Sequence, residues 1–345
     1  MSENTITDMV RCVYNTHNTV TGSVCRTNTE NLLPEHIALF DQLSEEIKKS
    51  YYGTGIMIPE KLKGKRVLDV GCGSGSLVFI LSKLVGPTGY VVGVDLSEML
   101  IEIARSQVDY HRKAWGYDTM NCEFVLGNVE NLPFPPESFD IVVSSGVISM
   151  CPDKEAVFAV VHSVLKEGGQ FLLSDVCGED DIPEECRSND VIWTCGLGGL
   201  RWDRLAEVAS KTGFTRPHLR QAAPVDIAEE YVKMIENSRF TCAGWRLFKL
   251  PEDHRYDACR VTYKGNIPEY SDQLPWDIDL TFKKGQGVDV DGELTTLLST
   301  SYLRENFDFA DTNVKPVTKR NQNPFAYLDK LQSEGRLPPS IFKVE

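Results

Sequence analysis

The chain has 345 residues, which at roughly 150 residues per domain makes one large domain or one domain with a substantial appendage. With 41% hydrophobic and 25% charged residues, it reads as a folded globular protein and not as a fibrous, disordered or membrane-spanning one. Fifty acidic against thirty-six basic residues give a net charge of -14 at pH 7. That field repels phosphate backbones and anionic lipid, so neither nucleic acid nor membrane is an expected partner.

Residues 1 to 35 are rich in Asn, Thr and Ser and read as an irregular N-terminal arm. Met1–Val10 has neither a basic nor an apolar leader segment, so a cytoplasmic, reducing setting is expected for the ten cysteines. No apolar stretch reaches the roughly 18 residues that a membrane span needs. From Pro34 to Lys49, Ile37, Phe40, Leu43 and Ile47 fall at helical spacing and predict an amphipathic helix.

Short apolar runs then alternate with helical segments. The runs are Arg66–Val70, Tyr90–Val94, Cys122–Leu126, Ile141–Ser144 and Gln170–Ser174, and the helices are Gly75–Val85, Glu98–Trp115, Lys154–Leu165 and Trp202–Thr212. Runs that are apolar throughout fit strands covered on both faces, which predicts an α/β fold: a doubly wound, mostly parallel, Rossmann-like sheet over residues 36–220. After Pro217 the pattern changes. Ile227–Ile235 reads as a helix, and Arg239–Leu250, Ala258–Tyr263 and Leu280–Lys284 read as strands of a smaller α+β unit over residues 221–310. Residues 311–345 read as an extended tail.

The strongest chemical signal is Val67-Leu68-Asp69-Val70-Gly71-Cys72-Gly73-Ser74-Gly75, a buried strand that runs into a glycine-rich turn and opens a helix. Backbone amides in such a turn approach a ligand closely. Asp95 follows Gly75 by twenty residues, at the end of the second strand, where a carboxylate suits ribose hydroxyls. The third glycine comes one residue too early for a dinucleotide fingerprint, and Asp69 would oppose a pyrophosphate but welcome an amino group.

This loop resembles the first motif of the S-adenosylmethionine-dependent methyltransferases, and S-adenosylmethionine is the expected cofactor. Gly127-Asn128-Val129-Glu130-Asn131-Leu132-Pro133-Phe134 and the strand Phe139–Ser144 agree with that resemblance. Several further segments, among them Tyr51-Tyr52-Gly53-Thr54-Gly55-Ile56, Val147-Ile148-Ser149-Met150-Cys151-Pro152-Asp153-Lys154, Ser174-Asp175-Val176 and Leu197-Gly198-Gly199, resemble the arsenite methyltransferases. The resemblance places the cofactor against Tyr51, Gly71, Gly73, Asp95, Met99, Asn128, Val129 and Ser144, with Asp69, Gly75 and Leu96 beside them.

By the same resemblance, trivalent arsenic is held by cysteines in that family. Thr54, Gly146 and Gly196 stand where those thiols are expected, and neither a hydroxyl nor a glycine supplies a soft anionic donor. The expected reaction is therefore methyl transfer to a small organic acceptor, an amine or a thiol. Tyr52, Ser149, Asp175, Trp193 and Cys195 are the side chains expected nearest to it. Two alternatives stay open: an arsenic site rebuilt from Cys195 and Cys151, with Cys12 or Cys25, and a regulatory protein that binds the cofactor without turnover. No C-x-x-C pair occurs, and no metal site is expected.

Overall fold

The computed structural model describes residues 3–16, 32–50, 53–252, 256–314, 316 and 322–344. In chain order the helices are α1 (Glu3–Thr16), α2 (Pro34–Asp41), α3 (Glu45–Lys49), α4 (Ser76–Val85), α5 (Glu98–Ser106), α6 (Val108–Trp115) and α7 (Lys154–Val164). They continue as α8 (Asp190–Thr194), α9 (Arg204–Lys211), α10 (Glu229–Met234), α11 (Gly292–Thr300) and α12 (Pro324–Ser333). The strands are β1 (Arg66–Val70), β2 (Tyr90–Asp95), β3 (Cys122–Leu126), β4 (Phe139–Ser145), β5 (Leu165–Gly178), β6 (His218–Ile227) and β7 (Phe240–Phe248). After them come β8 (Cys259–Tyr263), β9 (Gln273–Pro275), β10 (Thr281–Lys283), β11 (Gly287–Val290), β12 (Phe307–Asp311) and β13 (Phe342–Val344).

Eight strands form one sheet in the order β13-β6-β7-β5-β4-β1-β2-β3. Strands β1 to β5 run parallel, and β7 pairs antiparallel with both β5 and β6. The central strands are apolar throughout because both faces are covered: Leu68, Val92 and Val142 pack into one cluster, and Val67, Val91 and Ile141 into another. This is the Rossmann-like α/β fold expected, with a C-terminal unit built on the antiparallel sheet β11-β8-β12.

Several boundaries differ from the reading of the sequence. The N-terminal arm is not irregular: residues 3–16 form α1, because Ile6, Val10, Val13 and Tyr14 recur at helical spacing. The helix expected over Pro34–Lys49 breaks at Ser44, whose side chain accepts from Ile47 N and caps α3. The helix expected over Glu98–Trp115 breaks at Gln107, whose N–H bonds back to Ala104 O in a tighter turn. β6 and β7 belong to the main sheet, so a division at residue 220 cuts through β6; long-range antiparallel pairing with β5 decides this. The tail is not extended throughout, since Asn323 caps α12 and Phe325, Leu328 and Leu331 bury its inner face.

The C-terminal unit has its own core around Trp276, Tyr263, Phe282 and Phe307, all fully buried. Trp276 stacks on Phe248 of β7, with centroids 5.9 Å apart and rings 10° from parallel. The Arg246 guanidinium lies over the same indole, 4.4 Å from its centroid. Arg246 Nη2 in turn donates to Glu60 Oε1 at 2.5 Å, so one aromatic ring joins the unit to the sheet and to the segment that precedes β1. Trp276→Ala should lower the stability of the full chain by about 3–5 kcal/mol, measured by chemical denaturation. A loss below about 1 kcal/mol would show that this core does not hold the two units together.

Candidate functional site

The glycine turn lies where β1 hands over to α4, at the carboxyl ends of the parallel strands. Gly71 N and Cys72 N both donate to Val94 O of β2, at 2.8 and 3.0 Å. A Cβ at Gly71 would sit 2.0 Å from Val147 Cγ2, so only glycine lets this turn pass the loop after β4. Asp95 fixes the turn from the other side: Oδ2 accepts from Gly73 N at 2.8 Å, and Oδ1 accepts from Ser97 N at 2.9 Å. Each carboxylate oxygen keeps a second lone pair for a ligand hydroxyl.

Asp69 is buried beneath the turn, and among the described residues none donates a hydrogen bond to its carboxylate. Burial first, and the charge of Asp95 second, push its carboxyl up to about 8. An unsatisfied acid facing a pocket fits a cation that also donates hydrogen bonds, as the amino group and sulfonium of S-adenosylmethionine together provide. The donor set at this turn therefore fits that cofactor.

The pocket is lined by Asp69, Gly71, Gly73, Asp95, Leu96, Asn128 and Val129 of the residues expected around the cofactor. Gly75 and Ser144 instead have structural tasks. A Cβ at Gly75 would lie 2.5 Å from Phe124 Cε1, and Ser144 Oγ donates to Val70 O across the sheet. Met99 stands in the first turn of α5, where its N–H bonds Asn15 Oδ1, and Tyr51 lies outside the described residues.

The surface that sequence reasoning missed is α1, whose Thr7, Val10, Arg11 and Tyr14 form part of the wall. Tyr14 Oη donates to Thr194 O at 3.3 Å, and Ser97 Oγ donates to Asn15 Oδ1 at 2.7 Å, so α1 is pinned at both rims. The open volume beneath it is about 130 Å³.

On the acceptor side, the segment 53–58 crosses the strand ends. Thr54 Oγ1 donates to Ser174 O, and Ser174 Oγ donates to Thr54 O, both at 2.9 Å. Gly146 lies directly beneath, since a Cβ there would be 3.2 Å from Thr54 Cγ2. Asp175 is fully buried; its Oδ2 accepts from Val147 N and Ser149 N, both at 3.1 Å, and its Oδ1 accepts from Val176 N at 2.8 Å. Burial raises its carboxyl, against the pull of those hydrogen bonds.

Trp193 Nε1 donates to Met150 O at 3.1 Å, and Cys195 packs beside Val176 and Ile192. Asp175 and Trp193 thus hold the 147–151 turn, and Gly146 with Val147, Met150 and Cys151 of the turn line the pocket, whereas Ser149, Asp175, Trp193 and Cys195 do not. Tyr52 and Cys25 lie outside the described residues. Cys151 Sγ lies 3.4 Å from Val147 O, and burial pushes its thiol up to about 12. Among the described residues no group of three His, Cys, Asp or Glu is placed to hold a metal ion, and no helix is long and apolar enough to cross a membrane.

Residues 61–222 match the methyltransferase domain family, and residues 256–340 match the arsenite methyltransferase C-terminal domain. The arsenite methyltransferase of Rattus norvegicus is 37% identical over 296 residues, which is 83% of this chain and 80% of the rat protein. The chain belongs to the arsenite methyltransferase family. The human arsenite methyltransferase is 38% identical over 81% of this chain and 76% of its own length. A crystal structure of an arsenic (III) S-adenosylmethionine methyltransferase from Chlamydomonas reinhardtii superposes with a TM-score of 0.77 at 31% identity, covering 84% of this chain and 99% of that one. The protein is accordingly an S-adenosylmethionine-dependent methyltransferase.

The raised carboxyl of Asp69 gives this family member a testable pH dependence. In the ligand-free pocket Asp69 holds its proton at pH 7, whereas a bound cation favours the ionised form, so cofactor binding releases a proton. Affinity for S-adenosylmethionine should rise with pH up to about 8 and level off above it. Calorimetry in buffers of different ionisation enthalpy should detect the released proton. Asp69→Asn should weaken binding and flatten the profile, and an unchanged slope in that variant would assign the proton elsewhere.

Proposed function

We propose that the protein transfers the methyl group of S-adenosylmethionine to trivalent arsenic, with Cys151 as the thiol that meets the acceptor. The cofactor supplies an electrophilic methyl on a sulfonium, and the protein's part is to bring a lone pair into line with the carbon–sulfur bond. The observation that carries this reading is that the turn facing the cofactor loop presents a thiol, Cys151, in a chain whose two halves both match arsenite methyltransferases. Arsenic is thiophilic: as its bond to the Cys151 sulfur forms, a bond to one of its hydroxyl or glutathione ligands breaks, and the proton that burial keeps on this thiol leaves with that ligand as water or free glutathione. Asp175 acts at one remove, by holding Val147 N and Ser149 N and so the course of the turn that carries Cys151.

A second reading, an organic amine or thiol as acceptor, is favoured by one arrangement. Thr54, Gly146 and Gly196, where the family resemblance leads one to expect thiols, carry none. Both glycines adopt left-handed backbone, with φ of +69° and +75°, and a Cβ at Gly196 would lie 2.4 Å from Ser149 Oγ. Protein thiolates at these two positions would require the local backbone to change.

Incubation with arsenite, glutathione and S-adenosylmethionine, with S-adenosylhomocysteine and methylarsenicals quantified, separates the readings. The arsenic reading expects product, and a fall of roughly 10–100-fold in Cys151→Ser, the scale on which partners of a bound metal act. Absence of methylarsenicals, together with turnover on an amine or thiol panel that Cys151→Ser leaves intact, would establish the organic acceptor instead.

A further inference from the structure

A second cavity, of about 420 Å³, lies on the far side of Ile56 from the cofactor pocket, where β6, α2, α12 and the C-terminal unit meet. Ile56 borders both chambers, and Met57 and Ile58 continue the apolar wall, with Tyr327 and Leu331 facing them from α12. The notable group here is Arg220, which lines the cavity with a side chain only 18% exposed. It shares a single carboxylate with a second arginine: Glu60 Oε1 accepts from both Arg220 Nη1 and Arg246 Nη2, and Glu60 and Arg246 are fully buried.

Among the described residues Glu60 is the one acid within ion-pair distance of either guanidinium group, so two buried or half-buried cations share a single carboxylate. Asp277, the other acid that lines the cavity, makes no ion pair with Arg220 or Arg246. Asp277 is spent on His218 Nδ1 at 3.0 Å and on the amides of Asp279 and Leu280 at 2.9 Å. Arg336 is paired with Glu334 at 2.8 Å. Burial lowers the pKa of His36, which keeps its ring neutral. Tyr270 bonds Arg220, but burial and the nearby charge of Glu60 push its phenol up to about 12, so it supplies no negative charge. The bonds to Glu60 and Tyr270 leave further N–H donors of Arg220, out of its five, for a ligand.

We propose that this cavity is a second ligand site, which takes a small monocarboxylate with an apolar body and seats its carboxylate on Arg220. The ligand supplies the arginine pair with a second carboxylate, and the wall formed by Ile56, Met57 and Leu331 covers the rest of it. A planar guanidinium recognises a carboxylate through paired N–H bonds, which gives orientation as well as affinity.

The probes are benzoate, benzyl alcohol and benzylammonium, titrated into the full chain saturated with S-adenosylhomocysteine so that the cofactor pocket is closed to them. Benzoate should bind saturably and at least about tenfold more tightly than benzyl alcohol, the scale of a hydrogen bond to a charged group. Benzylammonium should not bind. Arg220→Gln should abolish the preference for benzoate. Ala222→Leu, which fills the cavity and leaves Glu60, Arg220 and Arg246 in place, should weaken benzoate by a similar factor without changing S-adenosylhomocysteine affinity. Equal binding of benzoate and benzyl alcohol, or benzoate binding that Ala222→Leu leaves untouched, would overturn the assignment, and so would no benzoate binding at all.

Discussion

The working end of the sheet depends on Asp95. One carboxylate takes the amides of Gly73 and Ser97, and so joins the glycine turn to the start of α5 at the point where the two segments must diverge around a ligand. Burial raises the Asp95 carboxyl, and the backbone N–H bonds it accepts on both oxygens pull the other way. Asp69 has no such donors among the described residues, and burial together with the charge of Asp95 pushes its carboxyl up to about 8. The loop is preorganised by one acid and made selective for a positively charged ligand by the other.

The same physics recurs away from the cofactor loop. Asp175 collects the amides of Val147, Ser149 and Val176, and Glu60 collects two guanidinium groups. In each case a buried carboxylate terminates a segment that has no regular backbone ladder of its own. These are also the places where the chain crosses from the sheet to the loops above it. A buried acid that gathers several N–H donors gives such crossings a defined path, and removal of the acid would leave those donors unpaired in the interior.

Much of this was legible in the sequence, and the reasons for the rest are specific. Strands β1 to β5 announce themselves because both faces are covered, and Asp69, Gly71, Gly73 and Asp95 because strand, turn and acid fall at fixed spacing. The breaks at Ser44 and Gln107 were hidden because a one-turn interruption leaves the apolar period almost unchanged. The partnership of β6 and β7 with β5 depends on pairing across tens of residues, to which local pattern is blind. α1 was overlooked because its polar composition outweighed a sound helical period at Ile6, Val10, Val13 and Tyr14. Ser149, Asp175 and Trp193 meet around the 147–151 turn, and a sequence does not say whether a polar side chain faces a cavity or the backbone behind it.

That distinction bears on how the acceptor is chosen. Thr54 and Ser174 exchange reciprocal hydrogen bonds directly above Gly146, so the roof of the acceptor space is fixed by neutral hydroxyls and carbonyls. Neutral donors and acceptors already satisfied by one another present little that binds a soft cation and little that repels an apolar group. On the proposed function, selectivity for the acceptor falls to the turn 147–151, where Met150 and Cys151 supply sulfur and Asp175 supplies rigidity. Because the position of the turn is set from behind by a buried acid and an indole N–H, a change at Asp175 or Trp193 reaches the acceptor through geometry without touching it.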